Sequence, residues 1–133
     1  MKTALYLRVS TEEQNLDNQR AQLETYAKQR GFEVVQVYQE EGSAWRAGRQ
    51  VELAKLISDA HRCQFQVVLC WALDRLSREG SLAILRLIDR LGRYNVKVIS
   101  FQEPWTEAPG ELAEILYAIA GWVARMESQR QSE

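Results

Sequence analysis

Apolar Leu5, Leu7 and Val9 alternate with Tyr6 and Arg8 in the opening run Ala4-Leu5-Tyr6-Leu7-Arg8-Val9-Ser10-Thr11. This period of two, in residues that favour extended chain, predicts a strand that breaks at Ser10 and Thr11. Thr11-Glu12-Glu13-Gln14 then reads as a helix N-terminus, with Thr11 placed to cap and Gln14 to reach back. From Asn15 to Arg30 the period becomes helical: Leu16, Leu23, Tyr26 and Ala27 share one face, and Gly31 follows as the terminating residue. Glu33-Val34-Val35-Gln36-Val37-Tyr38 is a second strand. A polar loop between Gln39 and Gln50 leads to a helix with Leu53, Leu56, Ile57 and Ala60 on one face, ending near Cys63.

The segment Gln66 to Trp71 contains the unbroken apolar run Val67-Val68-Leu69-Cys70, as expected of a strand covered on both faces and therefore central. After Ala72-Leu73-Asp74-Arg75-Leu76-Ser77-Arg78-Glu79-Gly80 comes a helix buried along Ile84, Leu87, Ile88 and Leu91. Arg86, Asp89, Arg90 and Arg93 fall on its outer side. Val96 to Phe101 is a fourth strand, and Pro104 and Pro109 keep the following loop from becoming helix early. From Gly110 a long helix carries Leu112, Ile115, Leu116, Ile119, Trp122, Val123 and Met126. So wide an apolar surface, in a domain whose sheet already has covering helices, points to packing on a second subunit.

The alternation of strand and helix implies an α/β fold. A mainly parallel central sheet of about four to five strands carries helices on both faces, with right-handed crossovers, and is followed by the long C-terminal helix. The 133 residues fit one domain. They stop inside helical sequence without a terminating signal, so a further segment is expected after Glu133.

Composition adds boundaries. At 46% hydrophobic and 26% charged the chain is of ordinary globular type, and no apolar run nears the roughly 20 residues that span a bilayer. Cys63 and Cys70 lack metal-ligand spacing and are expected as core thiols in a reducing cytoplasm. A net charge of -1 argues against a diffuse coat of nucleic acid. Of 17 basic residues, however, 13 are arginine, whose planar fork matches a phosphate at two points.

In a parallel sheet the segments that follow the strands gather on one edge. Arg8, Ser10, the loop ending at Arg49, and Asp74 to Arg78 are therefore expected to converge there. Like charges crowd together favourably when an anion joins them, and a phosphate is the economical one. Asp74 can hold one arginine or trade a proton. There is no Gly-x-Gly-x-x-Gly run and no Gly-x-x-x-x-Gly-Lys loop, so the usual nucleotide cradles are missing. The first strand ends in Arg8-Val9-Ser10 rather than in carboxylates, and His61, the sole histidine, sits at a helix end. Metal-ligand and Ser-His-Asp arrangements thus lack their parts. What remains is attack of a serine hydroxyl on a phosphodiester, with guanidinium groups stabilising the developing charge. Two other readings share the pocket: a self-associating regulatory module that binds phosphate or DNA and cuts nothing, and a phosphatase.

These residues resemble the catalytic domain of the serine recombinases, the resolvase and invertase family. Tyr6-Leu7-Arg8-Val9-Ser10-Thr11 with Gln14 is similar to that family's opening Tyr-x-Arg-Val-Ser-Thr with a following Gln. Leu73-Asp74-Arg75-Leu76-Ser77-Arg78 resembles its Leu-Asp-Arg-Leu-x-Arg. Arg49 stands where the family has an arginine before its second helix, and Glu40 where an aspartate is usual. Ala72 replaces a frequent lysine, and Ser43-Ala44 a frequent Ser-Gly. The resemblance implies that Ser10 is the nucleophile forming a 5′-phosphoserine bond to DNA. Arg8, Arg49, Arg75 and Arg78 would bind the scissile phosphate, and Asp74 would position an arginine or serve the leaving 3′ oxygen. Tyr6, Gln14 and Glu40 would support them. It further implies no metal or cofactor and a double-stranded recombination site as partner. A homodimer that joins another into a tetramer, a cytoplasmic setting on the nucleoid, and a separate C-terminal DNA-binding domain complete the expectation.

Overall fold

Strand and helix alternate in the computed structural model, which describes residues 1–9, 13–42, 45, 48–108, 117–119, 121–123 and 125–126. The elements are β1 (Lys2–Val9), α1 (Glu13–Gln29), β2 (Glu33–Glu41), α2 (Val51–His61), β3 (Val67–Cys70), α3 (Ser81–Arg93) and β4 (Lys97–Ser100). Single 3₁₀ turns follow β3 at Leu73–Arg75 and β4 at Pro104–Glu107.

The sheet has four parallel strands in the order β2-β1-β3-β4. Every residue of β3 is buried, as its unbroken apolar run requires of an inner strand. Because side chains alternate along a strand, β1 divides its residues between two layers. Ala4 and Tyr6 join Val68, Cys70 and Val98 beneath Leu53, Leu56 and Ala60 of α2 and Ile84, Leu87 and Leu91 of α3. Leu5 and Leu7 join Val67, Leu69 and Ile99 beneath Leu23, Tyr26 and Ala27 of α1. Helices therefore cover both faces.

Helix α1 ends where the sequence predicts. Gly31 adopts φ +71, its amide bonds the Lys28 carbonyl, and the Phe32 amide reaches back to Ala27 at 2.9 Å. The same closure ends α2 with Cys63 in the left-handed position, φ 60, its amide on Ala60 and that of Gln64 on Asp59. Cys63 is consequently exposed, which corrects its reading as a core thiol; Cys70 is buried as expected. Burial pushes the Cys70 thiol up to about 12.

The outer edge of β4 is closed by the chain that follows it. The Ser100 amide donates to the Thr106 hydroxyl at 2.9 Å, and that hydroxyl donates to the Glu103 carbonyl at 2.7 Å. Arg30 at the end of α1 pairs with Glu107 of this turn, Nη2 to Oε1 at 2.8 Å. An edge covered in this way offers few unpaired backbone groups to a foreign strand.

Most of the expected C-terminal helix lies outside the described residues; residues 117–119, 121–123 and 125–126 are helical. The Tyr117 hydroxyl reaches the Val98 carbonyl at 3.4 Å and its ring meets Trp105 edge-on. Among the described residues no helix is long and apolar enough to cross a membrane.

Candidate active site at the carboxyl edge of the sheet

The strand order reverses at β1, since β2 lies on one side of it and β3 on the other. In open parallel sheets such a switch leaves a crevice beyond the carboxyl ends of the two central strands. The end of β1 and the segment after β3 flank that crevice, and Gly48 to Gln50 before α2 border it.

Glu40 organises this edge. It is 1% exposed and lies opposite Arg8 in the β1–β2 register. Its carboxylate accepts the Tyr6 hydroxyl at 2.7 Å, the Glu52 amide at 3.0 Å and the Leu53 amide at 3.2 Å. The first amides of a helix have no partner within it, and Gln50 at the cap position makes no side-chain cap bond. A carboxylate from the neighbouring strand serves in its place, where the helix dipole also favours negative charge. Burial raises the Tyr6 hydroxyl far above its ordinary 10.0; the Glu40 carboxylate adds to this and the Gln50 hydrogen bond opposes it. Tyr6 therefore stays neutral and donates.

Gln50 extends the connection. Its Nε2 donates to the Tyr6 hydroxyl at 3.1 Å and to the Leu76 carbonyl at 2.9 Å, while its Oε1 accepts the Arg78 amide at 3.4 Å. The loop before α2 is thus fastened to the segment after β3. Gly48 has φ +79, and a Cβ there would lie 3.3 Å from Nη1 of Arg78. The Arg78 side chain accordingly runs alongside the backbone next to Arg49.

Arg8 points to the same face as Tyr6, with its guanidinium carbon 5.8 Å from the centre of the buried Trp45 ring. Asp74 and Arg75 occupy the 3₁₀ turn, where Arg75 Nε lies 3.8 Å from the Asp74 carboxylate. The Asp74 side chain is 83% exposed, so this pair holds little energy of its own. Arg49 is exposed on its loop. Tyr6, Glu40 and the segments bearing Arg49 and Arg78 are directly joined; Arg8 lies on β1 opposite Glu40, and the Arg75 side chain contacts Asp74 within its turn. Ser10 lies outside the described residues, as does the side chain of Gln14, whose backbone is in the first turn of α1. Among the described residues no three His, Cys, Asp or Glu side chains gather as metal ligands.

Three contributors were not anticipated from sequence. Gln50 and Glu103 sit in polar loops, and nothing local marks their long-range bonds. Glu103 accepts the Leu73 amide at 2.9 Å and the Ser100 hydroxyl at 2.9 Å, tying the turn after β4 to that after β3. Trp45 did carry a signal, being a large apolar residue alone in a polar stretch.

The sequence model of the family described as "Resolvase, N terminal domain" matches residues 3–133. A "Resolvase" of Escherichia coli is 30% identical over 130 residues, covering 94% of this chain and 58% of its own length. A "Putative DNA recombinase" of Bacillus subtilis (strain 168) is 29% identical over 132 residues, 98% of this chain but 26% of that protein. The chain thus spans less than two thirds of either relative. Among solved structures, the N-terminal catalytic domain of TP901-1 integrase superposes with a TM-score of 0.81 at 28% identity, covering 97% of this chain and 98% of that one.

Proposed function

The chain belongs to the resolvase N-terminal-domain family of serine recombinases, and on that footing we propose that it cuts and rejoins DNA at specific sites through a covalent serine intermediate. Ser10 is the nucleophile: its Oγ bonds to phosphorus, the bond from phosphorus to the 3′ oxygen breaks, and that oxygen leaves as a hydroxyl. The serine proton is given up to a base, and the leaving oxygen takes one. The 5′ end of the strand then stays on Ser10 as a phosphodiester. Attack by the 3′ hydroxyl of a partner strand reverses the step and restores DNA, so no energy source is consumed.

Guanidinium groups carry the electrostatic work. Arg8, Arg49, Arg75 and Arg78 bind the non-bridging oxygens and stabilise charge that grows as the pentavalent transition state forms. Asp74 orients Arg75 or assists the leaving oxygen. Tyr6 and Glu40 act behind this layer by fixing the end of β1 against the start of α2.

The observation that supports this reading best is the approach of Arg78 to the Gly48 backbone, which brings cationic segments after β2 and β3 together at the edge toward which β1 points. Two guanidinium-bearing segments on one edge can offer a phosphate forked, charge-assisted hydrogen bonds.

We take the functional unit to be a homodimer that pairs into a tetramer around two duplexes, in the cytoplasm on the nucleoid, with a DNA-binding domain following residue 133. Ile119, Trp122 and Val123 favour the dimer: they are 55%, 57% and 44% exposed at helical spacing, a surface suited to a second copy. The test uses nicked duplexes tiled across the DNA that flanks the gene. Full-length protein is expected to form a denaturant-resistant adduct with one of them, and Ser10→Ala to form none. Binding without an adduct would instead make this a non-cutting regulatory module.

A further inference from the structure

Gln50 touches every segment that bears a site arginine. Arg8 is on β1 with Tyr6, Arg49 precedes Gln50 directly, and Arg75 and Arg78 flank Leu76; the Gln50 amide bonds Tyr6, Leu76 and Arg78. Both of its hydrogens and its oxygen are used. Turning the amide over would set oxygen against the Leu76 carbonyl, so the network admits one orientation. Leu76 itself is fully buried, whereas Arg78 is exposed and its backbone is held by Gln50.

We infer that Gln50 is a positioning residue for the phosphate site: it clamps the Arg75–Arg78 segment onto the start of α2, and so fixes the spacing of the Arg49 and Arg78 guanidiniums. This rests on the proposed transesterification and adds a residue outside its reacting groups. The physical ground is tolerance. A charge-stabilising group displaced by about 1 Å loses up to about 10²-fold in rate, although it still attracts the substrate. Removing the clamp therefore lowers the rate of the chemical step more than the affinity for DNA, much of which comes from other phosphates along the duplex.

Gln50→Glu distinguishes positioning from mere support. It keeps an acceptor for the Arg78 amide but loses both donors, and sets a second carboxylate beside Tyr6. The charged and titratable groups facing it are Glu40 on β2, Tyr6 on β1, Glu52 on α2 and Arg78 after β3. With Glu40 close behind the shared hydroxyl, the introduced carboxyl holds its proton more readily as pH falls, and one donor returns.

The experiment measures adduct formation in single turnover with full-length protein and the nicked duplex that reacts with wild type. Gln50→Ala is expected to slow the rate at saturating DNA by about 10²-fold, with the half-saturating DNA concentration nearly unchanged. The rate of Gln50→Glu relative to wild type is expected to rise as pH falls, while that of Gln50→Ala stays flat. If Gln50→Ala does not fold, the Gln50→Glu profile carries the test alone. A Gln50→Ala rate within about twofold of wild type, or a Gln50→Glu profile parallel to wild type, overturns the inference and leaves the recombinase reading standing. No adduct with wild type on any duplex removes that reading and this inference with it.

Discussion

The Tyr6 hydroxyl donates to the Glu40 carboxylate at 2.7 Å across the β1–β2 pair, and that carboxylate also receives the first free amides of α2. One buried anion therefore fastens the end of the strand that carries Arg8 to the helix that follows Arg49. Charge at the site and stability of the domain share this joint.

Replacing Glu40 with alanine leaves the Tyr6 hydroxyl and the Glu52 and Leu53 amides without their acceptor in a buried place. Unsatisfied buried donors cost about 1–3 kcal/mol each where water does not reach them. Urea unfolding is expected to show Glu40→Ala destabilised by about 3 kcal/mol. Glu40→Gln keeps one oxygen and should lose less.

Alkaline pH probes the same joint. Tyr6 and Tyr38 are both raised above their ordinary 10.0, first by burial and then by their carboxylate partners Glu40 and Asp59. A raised folded value favours the protonated form in the native state. The stabilisation is complete below about pH 10, where both states are protonated, and is lost as pH climbs because the unfolded chain ionises first. Stability should thus fall above pH 10, with tyrosinate absorbance from these two side chains appearing only as the protein unfolds. Tyr6→Phe should flatten part of that decline.

Gly48→Ala tests the closeness of two arginine segments. The new methyl group would sit at φ +79, a conformation costing an L-residue about 1–2 kcal/mol, and 3.3 Å from Arg78 Nη1. Thermal melts should show that loss. The adduct rate should fall further than stability explains, because the guanidinium must give way.

Self-association is tested at the exposed helical residues. Trp122→Glu or Ile119→Ser is expected to shift sedimentation toward the monomer and to make the melting temperature independent of protein concentration, while the far-UV circular dichroism of the native domain stays unchanged, since neither side chain belongs to the buried clusters.

The sheet was legible because each strand is coded locally. Alternation at Leu5, Leu7 and Tyr6 gave β1 its two faces, and the unbroken run Val67 to Cys70 marked β3 as inner. Gly31 ended α1 where expected. The second helix also ends near Cys63 as its apolar period implies, although Cys63, unlike Gly31 or the Asn95 that ends α3, is not a residue that favours the left-handed conformation closing it. The segments after β2 and β3 could be assigned to one edge from topology alone. Their scaffold could not, because Glu40 bonds amides 12 and 13 residues onward and Gln50 bonds Leu76 across 26. Such contacts exist only once the chain has folded. The readings of Ser10, the Thr11 cap, the Gln14 side chain and most of the C-terminal helix fall outside the described residues.

The most direct measurement is mass spectrometry of the peptide that covers residues 9–20 after reaction of full-length protein with its nicked duplex and digestion of both. Ser10 is expected to carry a nucleotide through its 5′ phosphate, with a free 3′ hydroxyl on the released strand. A nucleotide on any other side chain, or a 3′ phosphate on the released strand, contradicts the serine mechanism.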